Sequence, residues 1–121
     1  MYWAAAVFDD DGKAEVLGAV RPVSTALPLT ATSGGSSNVG VVQGQTAKDA
    51  VLVRVRFRDR PAPLDLPVIQ SRPTYLVNVY VGMFPAGWTP VEVTAYDGNG
   101  RQVAGCALDP SAAPLPPCPG G

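Results

Sequence analysis

The chain contains no histidine. That removes the side chain whose charge changes nearest neutral pH, the general base of a Ser-His-Asp arrangement and the commonest metal ligand. Cysteine is scarce as well: two residues among 121, too few for the Cys and His set of a structural zinc site. Nothing approaches the roughly eighteen consecutive apolar residues of a membrane-spanning helix, so no membrane insertion is expected of this segment. Neither charge is in excess. Nine basic against ten acidic residues leave a formal net charge of −1. That lacks the positive surplus by which nucleic-acid binders hold phosphates, so no nucleic-acid partner is expected. No secretory leader is expected within this segment, because Met1 runs straight into the strand-like stretch from Tyr2 to Phe8 with no basic start. Two readings fit that start: a cytosolic protein, or a piece of a longer precursor with Met1 as an added start. The cysteines, discussed below, favour the second.

What the chain has in quantity is glycine and proline, thirteen of each. They interrupt helical periodicity too often for helices to dominate, and they suit short strands joined by turns. Apolar residues make up 46% of the chain, and a chain of this length can bury one core without metals or many disulfides. Tyr2 to Phe8 and Ala14 to Val20 read as strands around a hairpin turn, Asp9-Asp10-Asp11-Gly12-Lys13, in which Gly12 takes the left-handed position. Leu27 to Thr32 reads as a short strand, Ser33-Gly34-Gly35-Ser36-Ser37 as a flexible loop and Asn38 to Gln43 as another strand. Thr46 to Ala50 is expected to cross between sheets.

Val51 to Arg58 is the clearest strand. Val51, Val53, Val55 and Phe57 alternate with Leu52, Arg54, Arg56 and Arg58, so the first set is expected inside and most of the second in water. Leu66 to Gln70 suits an edge strand because of Pro67. In Thr74 to Val81 the alternation places Tyr75, Val77, Val79 and Val81 on one side and leaves Tyr80 on the outward parity; Gly82 to Pro90 follows as a loop. Val91 to Asp97 alternates too, with Tyr96 outward. Asp97-Gly98-Asn99-Gly100 is a second hairpin turn, and Arg101 to Leu108 returns from it. Its likeness to the first hairpin reflects either an internal repeat or the same turn chemistry used twice. Seven to nine short strands with regular turn signals predict an all-β, two-sheet antiparallel sandwich over residues 1–108. The proline-rich stretch 109–121 is expected to be an extended surface tail or disordered.

The run Val91-Glu92-Val93-Thr94-Ala95-Tyr96-Asp97-Gly98-Asn99-Gly100-Arg101 resembles the closing hairpin of immunoglobulin-like modules in secreted and membrane-anchored actinobacterial proteins. The stretch from Gly44 through Val51-Leu52-Val53-Arg54-Val55-Arg56-Phe57 resembles such modules as well, where a polar turn leads into a charged alternating strand. The resemblance runs from Gly44 to Ala107. It implies an Ig-like topology and an extracytoplasmic setting, and it transfers no catalytic residues. The Cys-Trp-Cys spacing of antibody-type domains is absent.

Several features bear on chemistry. Asp9, Asp10 and Asp11 offer the hard oxygens that calcium takes, but successive turn residues diverge, and a solvated turn is the alternative. Ser33-Gly34-Gly35-Ser36-Ser37-Asn38 comes near a nucleophile elbow, yet Asn38 stands where the last glycine belongs and no histidine exists to act as base. Gly98-x-Gly100 lacks the third glycine and the following helix of a dinucleotide loop. Arg54, Arg56, Arg58 and Arg60 recur at spacing two and point one way. Guanidinium forks there suit phosphate or carboxylate groups of a partner, and an ordinary solvated face neutralised by Asp59, Glu92 and other acids is the alternative. Trp88, in Phe84-Pro85-Ala86-Gly87-Trp88-Thr89-Pro90, suits anchoring a protein or stacking on a sugar, or else it folds back with Phe84 to plug the end of the sandwich.

The candidate partner-binding residues are therefore Arg54, Arg56, Arg58, Trp88, Tyr80 and Tyr96. No catalytic, cofactor or metal site is expected. Cys106 and Cys118 are expected to form a disulfide that pins the tail to the last strand, which fits an oxidising compartment; a buried Cys106 with a free Cys118 in the cytosol is the alternative. The function expected is a non-catalytic extracytoplasmic module that binds a partner or spaces other domains in a larger secreted or membrane-anchored protein. The second reading is a module that binds carbohydrate or a cell-wall polymer through exposed aromatics.

Overall fold

The computed structural model describes residues 3–8, 14–20, 28–70, 77–109 and 115–119, the first two segments by backbone alone. These residues form strands and no helix. The strands are β1 (Trp3–Phe8), β2 (Ala14–Val20), β3 (Thr32–Gly35), β4 (Val39–Ala47), β5 (Ala50–Phe57), β6 (Leu64–Pro67), β7 (Val77–Pro85), β8 (Pro90–Asp97) and β9 (Gln102–Ala107). Every strand pairing is antiparallel. Seven of the strands make two sheets, in orders β3-β4-β7 and β6-β5-β8-β9, so the chain is the expected sandwich. β1 and β2 pair as the expected hairpin, and β2 lies beside β3 and β4. The Asp9–Asp11 run, the turn at Gly12, and Tyr75 lie outside the described residues.

The core sits between the two sheets. The four-stranded sheet contributes Val53, Val55, Phe57, Leu66, Val93, Ala95 and Cys106, all buried. This is the parity expected for β5 from Val53 onward. Val51 departs from it: the pairing with β8 shifts between Ala50 and Leu52, so Ala50 is fully buried and Val51 is 45% exposed. The extra residue of a bulge turns the side chains before it over to the other face.

The three-stranded sheet corrects the outward placement of Tyr80, whose side chain is fully buried. Tyr80 pairs with Gly44, and Phe84 with Gly40, across β4 and β7. A Cβ at Gly40 would collide with the Phe84 ring, and one at Gly44 with the Thr30 carbonyl and the Tyr80 hydroxyl. The inner face of β4 is thus carved small to receive the aromatic residues of β7. The valines of the opposite parity turn outward, where Val81 is 38% exposed.

Two segments expected to be loops are strand. Ser33, Gly34 and Gly35 continue from Thr32 and pair with β4, and β7 continues through Gly82 to Pro85. Because β7 and β8 belong to different sheets, residues 86–89 are a crossover and not a hairpin tip. The tail is not free where it is described. Ala107 N–H donates to Pro116 O, Cys118 N–H to Ala107 O and Ala31 N–H to Pro119 O, so residues 115–119 bond to the last residue of β9 and to the residue before β3. The expected disulfide joins Cys106 to Cys118 across this contact.

Candidate functional site

The outer face of the four-stranded sheet carries the outward residues of β5, β8 and β6 in register. Arg54 lies between Asp65 and Thr94, and Arg56 lies opposite Glu92. Arg54 grips Asp65 bidentately, with Nε–Oδ1 at 2.8 Å and Nη2–Oδ2 at 3.1 Å. The bond from Arg54 holds the Asp65 carboxyl below the ordinary aspartate range. The Arg54 guanidinium also stacks over Tyr96, with Cζ at 5.2 Å from the ring centroid, a contact favoured by the negative face of the ring. Arg56 pairs with Glu92 at 3.2 Å, and Arg58 pairs with Asp109. Each of these three arginines faces a carboxylate, so the stripe is a row of ion pairs with alternating sign.

At the end of the row the surface turns onto the edge of the sandwich. Trp88 is half-buried there, edge-on to Phe57 with centroids 5.2 Å apart, and Phe57 meets Phe84 at 5.0 Å. This aromatic stack closes the end of the core, as the folding-back alternative expects. Arg60 lies over the Trp88 ring at 4.4 Å from the centroid. Asp59 adopts a left-handed φ of 60°, and the Arg58 N–H donates to Thr89 O at 2.8 Å, which ties this turn to the crossover. Among the described residues Arg60 has no carboxylate within salt-bridge distance. Beside Trp88 lies an open groove of about 300 Å³ lined by Ser33, Gly35, Ser36, Phe84, Ala86 and Thr89 among others.

The structure therefore brings Arg54, Arg56 and Tyr96 together on one face, places Arg58 and Trp88 at its end, and removes Tyr80 to the interior. Tyr80 donates to Thr30 O at 2.7 Å, and burial raises its pKa far above the ordinary tyrosine value. Spacing two found the arginines. Of the acids expected to neutralise them, Glu92 does pair with Arg56; the spacing missed Asp65 and Asp109, because they lie on other elements, and assigned Arg60 to the stripe when the ring of Trp88 takes it. No group of three or more His, Cys, Asp or Glu side chains among the described residues is arranged to hold a metal, and no helix there is long and apolar enough to cross a membrane. No family model, no curated protein and no solved structure matches the chain.

Proposed function

We propose that the chain is a non-catalytic, Ig-like extracytoplasmic module that binds a protein partner or spaces domains within a larger secreted or membrane-anchored protein. The observation that carries this reading is the Cys106–Cys118 disulfide, which leaves no free cysteine. Such a bond persists in oxidising compartments and is kept reduced in most cytosols. Strand order supports the Ig-like part. Counting the seven sandwich strands in sequence, the first, second and fifth share one sheet and the third, sixth and seventh the other. Ig constant-type domains share that division, and this chain differs from them in the sheet of the fourth strand. Alkylation of protein isolated from its own cells without reductant, followed by intact mass, tests the compartment. Protected cysteines are expected, and two alkylated thiols overturn the reading.

The groove beside Trp88 favours a second reading, a module for carbohydrate or cell-wall polymer. A half-buried indole next to serine and glycine walls suits a sugar ring, and Arg60, without a carboxylate partner among the described residues, adds a preference for acidic sugars. Tyr96 and the ion-paired arginines lie on a different surface and belong to the first reading. Titration with an oligouronate, followed by tryptophan fluorescence, separates the two. On the second reading the wild type binds the oligouronate and Arg60→Ala, which removes the cation over Trp88, binds it at least about tenfold more weakly. Absence of binding to both the oligouronate and its neutral counterpart removes this reading.

A further inference from the structure

We propose that Asn99 is a modification site of the folded protein, at which the side chain closes onto the backbone nitrogen of Gly100 and releases ammonia. The two reacting atoms belong to neighbouring residues, and groups held within reach of each other react as if highly concentrated. The Gly100 nitrogen gives up its proton and bonds to the side-chain carbonyl carbon of Asn99. The bond from that carbon to Nδ2 breaks, and Nδ2 leaves with the proton as ammonia. Water, the one co-reactant, then opens the resulting cyclic imide at either carbonyl. One opening leaves aspartate at position 99. The other leaves isoaspartate, in which the chain runs through the former side chain and the turn is longer by one backbone atom.

The chain has three asparagines, Asn38, Asn78 and Asn99, and their surroundings single out the last. Asn78 is fully buried, and its Nδ2 donates to Gln70 Oε1 at 3.0 Å and to Lys48 O at 3.3 Å. Asn38 is exposed, but the β-branched Val39 follows it and crowds the nitrogen that would attack. That nitrogen also donates to Ser36 Oγ. Asn99 is exposed, and its side chain has no hydrogen-bond partner among the described residues. Glycine follows it. A Cβ at Gly100 would meet nothing within 4 Å, so solvent reaches this nitrogen and no side chain shields it.

The fold restrains the reaction without preventing it. Gly100 N–H donates to Asp97 O at 3.1 Å, and Asp97 Oδ1 holds the N–H groups of Asn99 and Arg101. The nitrogen attacks only when the tip of the hairpin opens. Residues 98–100 are exposed, and segments with solvent-exposed hydrogen bonds and few packed neighbours open at the lowest free energies in a structure. The folded chain therefore reacts, and reacts more slowly than the unfolded one.

The test is incubation of the full chain at mildly alkaline pH, folded in buffer and unfolded in guanidinium chloride, followed by digestion and mass spectrometry. In the folded sample the peptide holding Asn99 should gain the mass by which a hydroxyl exceeds an amino group and elute as separate aspartate and isoaspartate forms. The peptides holding Asn38 and Asn78 should not. The mass gain distinguishes this reaction from isomerisation at Asp97, which also precedes a glycine and leaves the mass unchanged. Asn99→Gln, whose longer side chain must close a larger ring, should react at least about tenfold more slowly. The unfolded chain should react several times faster than the folded one, and equal rates would overturn the restraint. A folded chain that gains no mass by the time the unfolded chain has reacted to completion overturns the proposal. So does Asn38 reacting as fast as Asn99, or Asn99→Gln gaining mass at the wild-type rate.

Discussion

Tyr80 carries the tightest linkage between a single atom and the stability of the core. Its hydroxyl is the donor for a buried carbonyl, Thr30 O. Tyr80→Phe keeps the ring and orphans that carbonyl, which costs about 1–3 kcal/mol; Tyr96→Phe, on the half-buried outer face, should cost much less. Urea unfolding of the two variants checks the difference. The same burial predicts an alkaline limit. The unfolded chain releases the Tyr80 proton near pH 10, whereas the native state keeps it to higher pH. Stability is therefore intact below about pH 10 and falls as pH rises beyond it, with the tyrosinate of Tyr80 appearing only on unfolding. The acid side is set by Asp65 and Asp97. Arg54 depresses the first carboxyl, and the backbone N–H groups of Arg101 and Asn99 depress the second. Their contributions are present above the unfolded pKa of 3.8 and are lost as pH falls below it.

At the level of elements, the β8–β9 hairpin shows how turn chemistry sets register. Asp97 Oδ1 accepts from Asn99 N–H at 2.9 Å and from Arg101 N–H at 3.0 Å, while Gly100 takes a φ of 79°. A side chain at Gly100 is strained in that conformation. Gly100→Ala should destabilise by about 1 kcal/mol, whereas Gly98→Ala, open on all sides and without a positive φ, should be neutral or stabilise by up to about 1 kcal/mol. Thermal unfolding of the pair tests whether the second glycine closes the turn. Across β5 and β8, Arg56 faces Glu92. Arg56→Glu would set two carboxylates in register, which is unfavourable. The loss in Tm should shrink as salt rises, since exposed charges are screened over about 8 Å at physiological ionic strength. A loss independent of salt would mean that packing, not charge, holds that position.

For the molecule as a whole, the disulfide decides whether the tail belongs to the domain. Residues 115–119 bond to Ala107 of β9 and to Ala31, so the tail links the end of β9 to the residue before β3. Cys118→Ser should lower stability by about 3 kcal/mol at most, the chain-entropy value for a loop of this size. It should also speed hydrogen exchange at Ala107 and Ala31, whose N–H groups donate to the tail. Exchange unchanged at both amides would show that the tail holds without the bond.

The alternation of β5 from Val53 onward and of β8, the aspartate-glycine turn after Tyr96, the count of strands and the pairing of two lone cysteines were legible in the residues themselves. Each depends on contacts near in sequence or on a choice with one solution. The face that β7 turns inward was not. Val77, Val79 and Val81 read as the buried set because β-branched side chains suit a core. The space that admits Tyr80 and Phe84 is made by Gly40 and Gly44 on another strand. A period of two defines two faces and leaves the choice between them to the partner strand. The same holds for the arginines: spacing put them on one side, but Asp65, Glu92 and Asp109 reached them from other elements. Local periodicity determined which residues share a face; only the tertiary pairing decided which face is inside and which charges are matched.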